Sequence, residues 1–345
     1  MRNILRCPYC QSEKCHHLKD YETKENGSRS LHICAICNNS FSETKGSFLA
    51  GLKKPISLIV GVFKARTDGL SFNATCRVFN IAKNTLLDWE HKFQDIKPTL
   101  LMYAMLNTFI SSKIIEGDEL YTKIEKNVPV EECQGWTILL MERATRFIWA
   151  LGCGKKDRTL FYNALQLLRD VITRTGDVTL VTDGERRYGN ILFEICHDVV
   201  HNGKRGRPPK VLLKGLKVRL KNKGDRSSKK KLARQKYEAP QNEHPQTIQN
   251  VSDSDIHANH AEAFNSSIRR KNSAYRRKTN TYAKSTTGLQ RTLDIHWIAH
   301  NFIFEHFTTK QVPAVALGIL KEGLSWAKVF QIRKPYIRLY WKRYF

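Results

Sequence analysis

From Pro55 to Phe93 the apolar positions recur at helical spacing. Ile56, Ile59, Val60 and Phe63 share one face of a helix that Pro55 can open and that Asp68-Gly69 breaks after Thr67. Ser71 suits the cap of a second helix through Val78, and Asn80 stands where a tight turn is needed. Leu86, Leu87 and Trp89 supply the apolar face of a third helix over residues 82–93, and a connecting helix is expected over 98–109. The period then shortens. Residues 113–118, 135–143 and 146–152 read as strands, 159–173 as a helix and 178–183 as a buried strand, so the second half is expected to be α/β. Residues 211–220 alternate only in part, leaving strands possible there. The polar stretch 227–255 is expected to lack much fixed structure on its own.

Charge narrows what such a chain works on. Among 345 residues, Lys and Arg number 58 against 32 Asp and Glu, a formal net charge of +26. That excess points to a polyanionic partner, nucleic acid above all. With 41% hydrophobic and 10% aromatic residues the chain can build packed cores, which excludes global disorder. The charge is uneven, because residues 203–236 hold 15 Lys or Arg and one acid, Asp225. Within them Lys204, Arg205, Gly206, Arg207 and Pro208 resemble an AT-hook core, which lies in a narrow minor groove. A solvated basic loop that contacts phosphates is the other reading. No run approaches the ~18 apolar residues of a membrane span, and Arg2, Arg6 and Cys7 stand where a signal segment would be apolar. The expectation is a soluble cytoplasmic, nucleoid-associated protein with double-stranded DNA as partner and no membrane.

Nine cysteines are present, and four form two CxxC pairs, Cys7 with Cys10 and Cys34 with Cys37, 23 residues apart. Each CxxC turn brings two thiolates to one tetrahedral ion and two turns close its shell, so one structural Zn²⁺ is expected. Two disulfides would use the same residues but suit an oxidising compartment. Residues 1–50 then read as a zinc ribbon that owes most of its folding free energy to the metal. Residues 51–97 read as a helix-turn-helix. Its third helix would present Lys83, Asn84 and Thr85 near its start to base edges; an ordinary three-helix bundle is the plainer alternative.

Two expected strands end on acids, at Asp118 and at Asp183. Asp183 follows Asp118 by 65 residues, and Glu262 follows Asp183 by 79 on an expected helix. Three antiparallel strands, a helix and a further strand open an RNase H-like fold, in which acids at adjacent strand ends and on a later helix meet at one metal site. Carboxylates crowded together raise each other's pKa unless a cation intervenes. Each acid has a plain alternative: a strand-end turn for Asp118, an Asp-Gly turn for Asp183, and a capping box with Asn259 for Glu262. Glu116, Glu119 and Glu185 compete as ligands. Arg269, seven residues after Glu262, shares its helix face.

Taken together these features resemble a bacterial insertion-sequence transposase of the DDE class, of the type named for insertion sequence number one. The resemblance covers most of the chain. It runs through the ribbon and residues 41–47 and 51–55, the helix start at Asn84-Thr85-Leu86, Gly117-Asp118-Glu119-Leu120 and Val181-Thr182-Asp183-Gly184. It ends with the block 259–285, which carries Glu262, Asn265, Arg269, Arg270, Arg276, Arg277 and Lys278, and with residues 313–318. Gly117 departs from it, since an apolar residue is expected there. The resemblance implies Asp118, Asp183 and Glu262 as ligands of two Mg²⁺ (or Mn²⁺) ions, with Arg269 on a phosphate. It implies 3′-end cleavage at terminal inverted repeats and strand transfer into target DNA by a homodimer or higher assembly. The implied domains are 1–50 ribbon, 51–97 helix-turn-helix, 98–112 connecting helix, 113–335 catalytic domain with a basic insertion at 203–255, and 336–345 tail. A non-catalytic zinc-ribbon and helix-turn-helix regulator, or an RNase H-like nuclease or resolvase, are the competing functions.

Overall fold

A computed structural model describes residues 5–108, 113–125, 129–201, 203, 205–222, 236–276 and 281–333. The described residues divide into two units, one formed by residues up to 100 together with 324–333, the other by residues between 101 and 323.

In the first unit β1 (Cys15–Thr23), β2 (Gly27–Cys34) and β3 (Ser40–Ser42) form an antiparallel sheet in that order. The β1–β2 turn closes on Gly27 at φ +68°, a conformation open to glycine without strain. Asn26 ties this hairpin to the first helix, its Nδ2 donating to Lys54 O and its Oδ1 accepting from Ile56 N–H. Three helices follow: α1 (Ile56–Thr67), α2 (Phe72–Val78) and α3 (Lys83–Gln94). Ser71 Oγ accepts the Ala74 N–H as the cap of α2, and Asn80 takes φ +49° in the turn before α3. These are the boundaries the apolar spacing predicts, within a residue. Inside, Arg66 Nε meets Glu90 at 2.7 Å and clamps α1 to α3, with Glu90 fully buried. The helix α4 (Lys97–Asn107) follows.

The second unit is α/β around a mixed six-stranded sheet. Its strands are β4 (Lys113–Tyr121), β5 (Trp136–Glu142), β6 (Ile148–Gly154), β7 (Val178–Asp183), β10 (Leu216–Asn222) and β11 (Lys236–Glu238), in spatial order β11-β10-β7-β4-β5-β6. β4, β5 and β6 are antiparallel neighbours, whereas β4, β7 and β10 run parallel. The helix α5 (Arg158–Ile172) lies between β6 and β7 in the chain, and α6 (Arg186–Ile195) follows β7. A separate hairpin pairs β8 (His197–Val199) with β9 (Lys210–Leu212). Beyond the sheet come α7 (Asn259–Lys271), α8 (Thr286–Ile298), a π-helical turn Ala299–Ile303 and α9 (Pro313–Ala316). The edge strand β6 is covered by side-chain amides: Asn301 bonds both Ile148 N–H and Ile148 O at 2.9 Å, and Gln290 bonds Cys153 N–H and Leu151 O. Amides placed this way occupy backbone groups that another strand would need. Among the described residues no helix is long and apolar enough to cross a membrane.

Three sequence expectations change. The basic insertion does not span 203–255, because β10 lies inside that range as an inner strand of the sheet. Lys217 and Arg219 disguise it as solvated sequence, yet both are buried. Lys217 pairs with Asp177 and bonds Ile248 O and Asn250, while Arg219 pairs with Glu243 and bonds Gln249. The polar stretch 227–255 changes in part: Glu243, Ile248, Gln249 and Asn250 bond those two buried side chains, whereas 227–235 lie outside the described residues. Finally, residues 324–333 belong to the first unit, where α10 (Trp326–Phe330) packs its rings against Phe48, Phe63 and Phe93. The expected tail 336–345 lies outside the described residues.

Candidate functional site

Cys7, Cys10, Cys34 and Cys37 converge in the first unit. Their sulfur atoms lie within 4.8 Å of one another, with Cys7–Cys37 at 3.6 Å and Cys10–Cys34 at 3.5 Å. These spacings are too long for disulfides and close to the ~3.8 Å edge of a tetrahedron with Zn–S bonds of about 2.3 Å. The N–H groups of Tyr9 and Ile36 point at the sulfurs of Cys7 and Cys34. Hydrogen bonds to the sulfur, led by the backbone N–H of Cys37, pull the Cys34 thiol down to about 6. Cys10 is pushed up to about 12: a Ser12 backbone bond lowers it, but burial and three neighbouring thiols outweigh that. Four thiols gathered this closely are a donor set that fits zinc. Cys15 packs beside the group without joining it, and His16 and His17 are exposed.

In the second unit the carboxylates are set by the sheet. The β4–β7 ladder ends at Gly117 opposite Thr182, so Asp118 and Asp183 are the next residue on two adjacent parallel strands. Neighbouring strands lie about 4.8 Å apart. Asp118 Oδ1 accepts the Glu119 N–H at 2.9 Å, and Oδ2 accepts Asn265 Nδ2 from α7 at 2.7 Å. Glu262 stands on the first turn of that helix, three residues before Asn265 and so on a common face. Burial is the largest cause raising the Asp118 carboxyl from 3.8 to about 7. The Glu119 N–H opposes it, and the charges of Glu119, Asp183 and Glu262 add to it. Asn265 is buried, and its Oδ1 has no hydrogen-bond partner among the described residues. Unlike the four cysteines, these three carboxylates do not gather within 4.8 Å of one another, but a carboxyl held near neutrality and an orphaned amide oxygen beside it are oxygen donors of the kind a hard divalent cation takes.

The three competing glutamates have other work. Lys156 Nζ lies 3.2 Å from both Glu119 and Glu185, which also caps α6 through the Arg187 N–H. Glu116 is fully buried and meets Arg143 Nε at 2.7 Å. The same carboxylate accepts the backbone N–H groups of His260 and Ala261 at 3.0 Å and meets His260 Nδ1 at 2.7 Å. The capping box between Asn259 and Glu262 is not formed, because α7 has Ala258 at its N-cap and no cap from its own side chains. Gly117, which departed from the expected pattern, makes room: a Cβ there would lie 2.9 Å from the Thr182 methyl and 3.4 Å from the Tyr188 ring. Tyr188 uses that space to donate to Asp118 O at 3.2 Å.

The basic residues fall at several places. Lys83 and Asn84 are exposed on the first turn of α3, with Thr85 half-buried beside them. Arg205 and Arg207 are exposed in the loop before β9. Arg269 is half-buried in the last turn of α7; Arg270, exposed, lines a cavity of about 450 Å³ with His296 and His300. Arg276 is exposed, and Lys204 and Arg277 lie outside the described residues. Sequence reasoning missed Arg143 and the role of Glu116 and Asn265. Two signals existed, the two-residue step from Glu116 to Asp118 and the three-residue step from Glu262 to Asn265. No family model matches the chain, and no curated protein matches it.

Proposed function

We propose that this chain is a DNA transposase of the DDE class, which cleaves the 3′ ends of an insertion element and joins them to target DNA. The observation that carries the reading is that Asp118 and Asp183 come next after the last paired residues of adjacent parallel strands, while the charges of Asp183 and Glu262 both bear on the half-buried Asp118 carboxyl. A sheet with three antiparallel strands continued by two parallel ones supports an RNase H-like assignment for the second unit.

On this reading Asp118, Asp183 and Glu262 hold two Mg²⁺ or Mn²⁺ ions. Bound there, the ions would activate the attacking oxygen and stabilise charge on the scissile phosphate. Asn265 orients Asp118 through Oδ2, and Tyr188 pins its backbone. Lys156 engages Glu119 and Glu185, which directs the chemistry to the remaining acids. Arg269, two helical turns beyond Glu262, is placed to contact a phosphate near the cut. In the first unit, Lys83, Asn84 and Thr85 read the element ends from α3, and the zinc-held ribbon adds DNA contacts. Arg205, Arg207, Arg270 and Arg276 extend the phosphate track.

The test is purified protein on duplex DNA carrying candidate terminal inverted repeats. We expect Mg²⁺-dependent 3′ nicking and joining that Asp183→Asn abolishes. Binding without cleavage, unchanged in Asp183→Asn, would instead identify a non-catalytic regulator. Cleavage without joining would identify a nuclease.

A further inference from the structure

We propose that Glu116, clamped by Arg143, is the positioning residue that sets α7 on β4 and thereby delivers Glu262 and Asn265 to Asp118; this rests on the metal-centre reading of Asp118, Asp183 and Glu262. The N2 and N3 amides of a helix ordinarily bond a cap from the residue just before it. In α7 that residue is Ala258, and the amides of His260 and Ala261 bond Glu116 of the sheet instead. A cap supplied from another element fixes the helix in space as well as ending it. The carboxylate charge also complements the positive end of the helix dipole.

The attachment has two points. Glu116 and Asp118 are two residues apart on one face of β4, a step of about 6.6 Å. The helix positions they hold, His260 and Ala261 at one point and Asn265 at the other, are four to five residues apart, or about 6–7.5 Å. The repeats match, so both bonds can form only in one register of α7 along β4. A slide of one residue would break both and carry Glu262 away. Arg143 locks the first point, because its Nη2 donates to Asp255 O at 2.8 Å and His257 O at 2.7 Å while Nε holds Glu116. It thus gathers the loop entering α7 and the cap into one node.

Glu116, His257 and His260 also offer ligand atoms within 4.8 Å of one another. Arg143 and two backbone N–H groups already occupy that carboxylate and balance its charge. His257 Nδ1 lies 3.9 Å from it, too far to bond it. The arrangement is therefore a latch in which no cation is required.

The experiment measures Mn²⁺ binding to the zinc-loaded full chain by the loss of the free-ion EPR signal, alongside zinc content and binding of end DNA in metal-free buffer. In Glu116→Gln an amide NH₂ must face at least one of the donors around it. We expect Mn²⁺ affinity to fall tenfold or more, the scale of lost outer-shell support, with zinc content and DNA binding unchanged. Arg143→Lys and His260→Ala, which spare the backbone caps, should lose several-fold and carry the test if Glu116→Gln does not fold. His257→Ala should bind Mn²⁺ as wild type does. Wild-type affinity in Glu116→Gln, Arg143→Lys and His260→Ala would overturn the latch, as would an extra bound ion lost in His257→Ala. Wild-type protein that binds no Mn²⁺ would overturn the metal-centre reading itself.

Discussion

Asp118 shows what one half-buried carboxyl does in this fold. With its pKa raised from 3.8 to about 7, chiefly by burial, the folded protein keeps a proton between about pH 4 and pH 7 that the unfolded chain has released. Stability from this group therefore falls as pH rises through that window. Asp118→Asn removes the penalty. In magnesium-free buffer at pH 8 the variant should be more stable than wild type by on the order of 2 kcal/mol, and the gain should vanish near pH 4. Thermal unfolding followed by tryptophan fluorescence at both pH values measures this; equal melting at pH 8 would show that the charge is not strained. The cysteine group makes a second residue-scale prediction. Cys34→Ser should take bound zinc from one ion per chain to none by elemental analysis, and binding of end DNA should be lost with it.

At the scale of elements, β10 is where the pattern left a strand possible and distant partners decided it. Leu216, Val218 and Leu220 are apolar at every second position, as a strand requires. Lys217 and Arg219 between them signal solvent only if nothing acidic covers that face. Here Asp177 and Glu243 do, with the amides of Asn250 and Gln249 beside them. Removing Lys217 leaves half-buried Asp177 with its bond from Asn250 Nδ2 but without its cation, so Lys217→Ala should cost about 1–3 kcal/mol in urea unfolding of the sheet unit. By contrast α1, α2 and α3 were legible to within a residue, because local spacing, the Ser71 cap and the Asn80 turn determine them without distant partners. On the DNA-reading proposal, Lys83→Ala should weaken binding evenly across sequences and lower the salt slope by about one. Asn84→Ala should cost about 1–3 kcal/mol and relax specificity at one base. Fluorescence anisotropy titrations over several salt concentrations separate these outcomes.

At the scale of the molecule, the chain leaves the first unit at about residue 100 and returns to it at 324. Phe330 stacks on Phe48 at 4.4 Å between ring centres, and Trp326 packs on Phe63 and Phe93. Phe330→Ala should destabilise the first unit by about 3–4 kcal/mol, seen as an earlier first step in calorimetry with the later step unmoved. A fragment ending at residue 100 should be unstable for the same reason. The charge excess has also changed meaning, since Lys217 and Arg219 spend theirs on acids inside the sheet unit.

What the sequence by itself determined is everything that local spacing can encode. The paired CxxC turns, the three helices of the first unit and the strands that carry Asp118 and Asp183 all follow from periods, caps and turns within a few residues, although β4 runs on past Asp118 to Tyr121 where β5 continues to pair with it. Only the tertiary structure decided which acids are spoken for. Lys156 claims Glu119 and Glu185, Arg143 and the start of α7 claim Glu116, and Asn265 reaches Asp118 across 147 positions of chain. The reason is physical. A carboxylate's role depends on its desolvation and on the donors facing it, and both are set by elements that the fold brings from far along the chain.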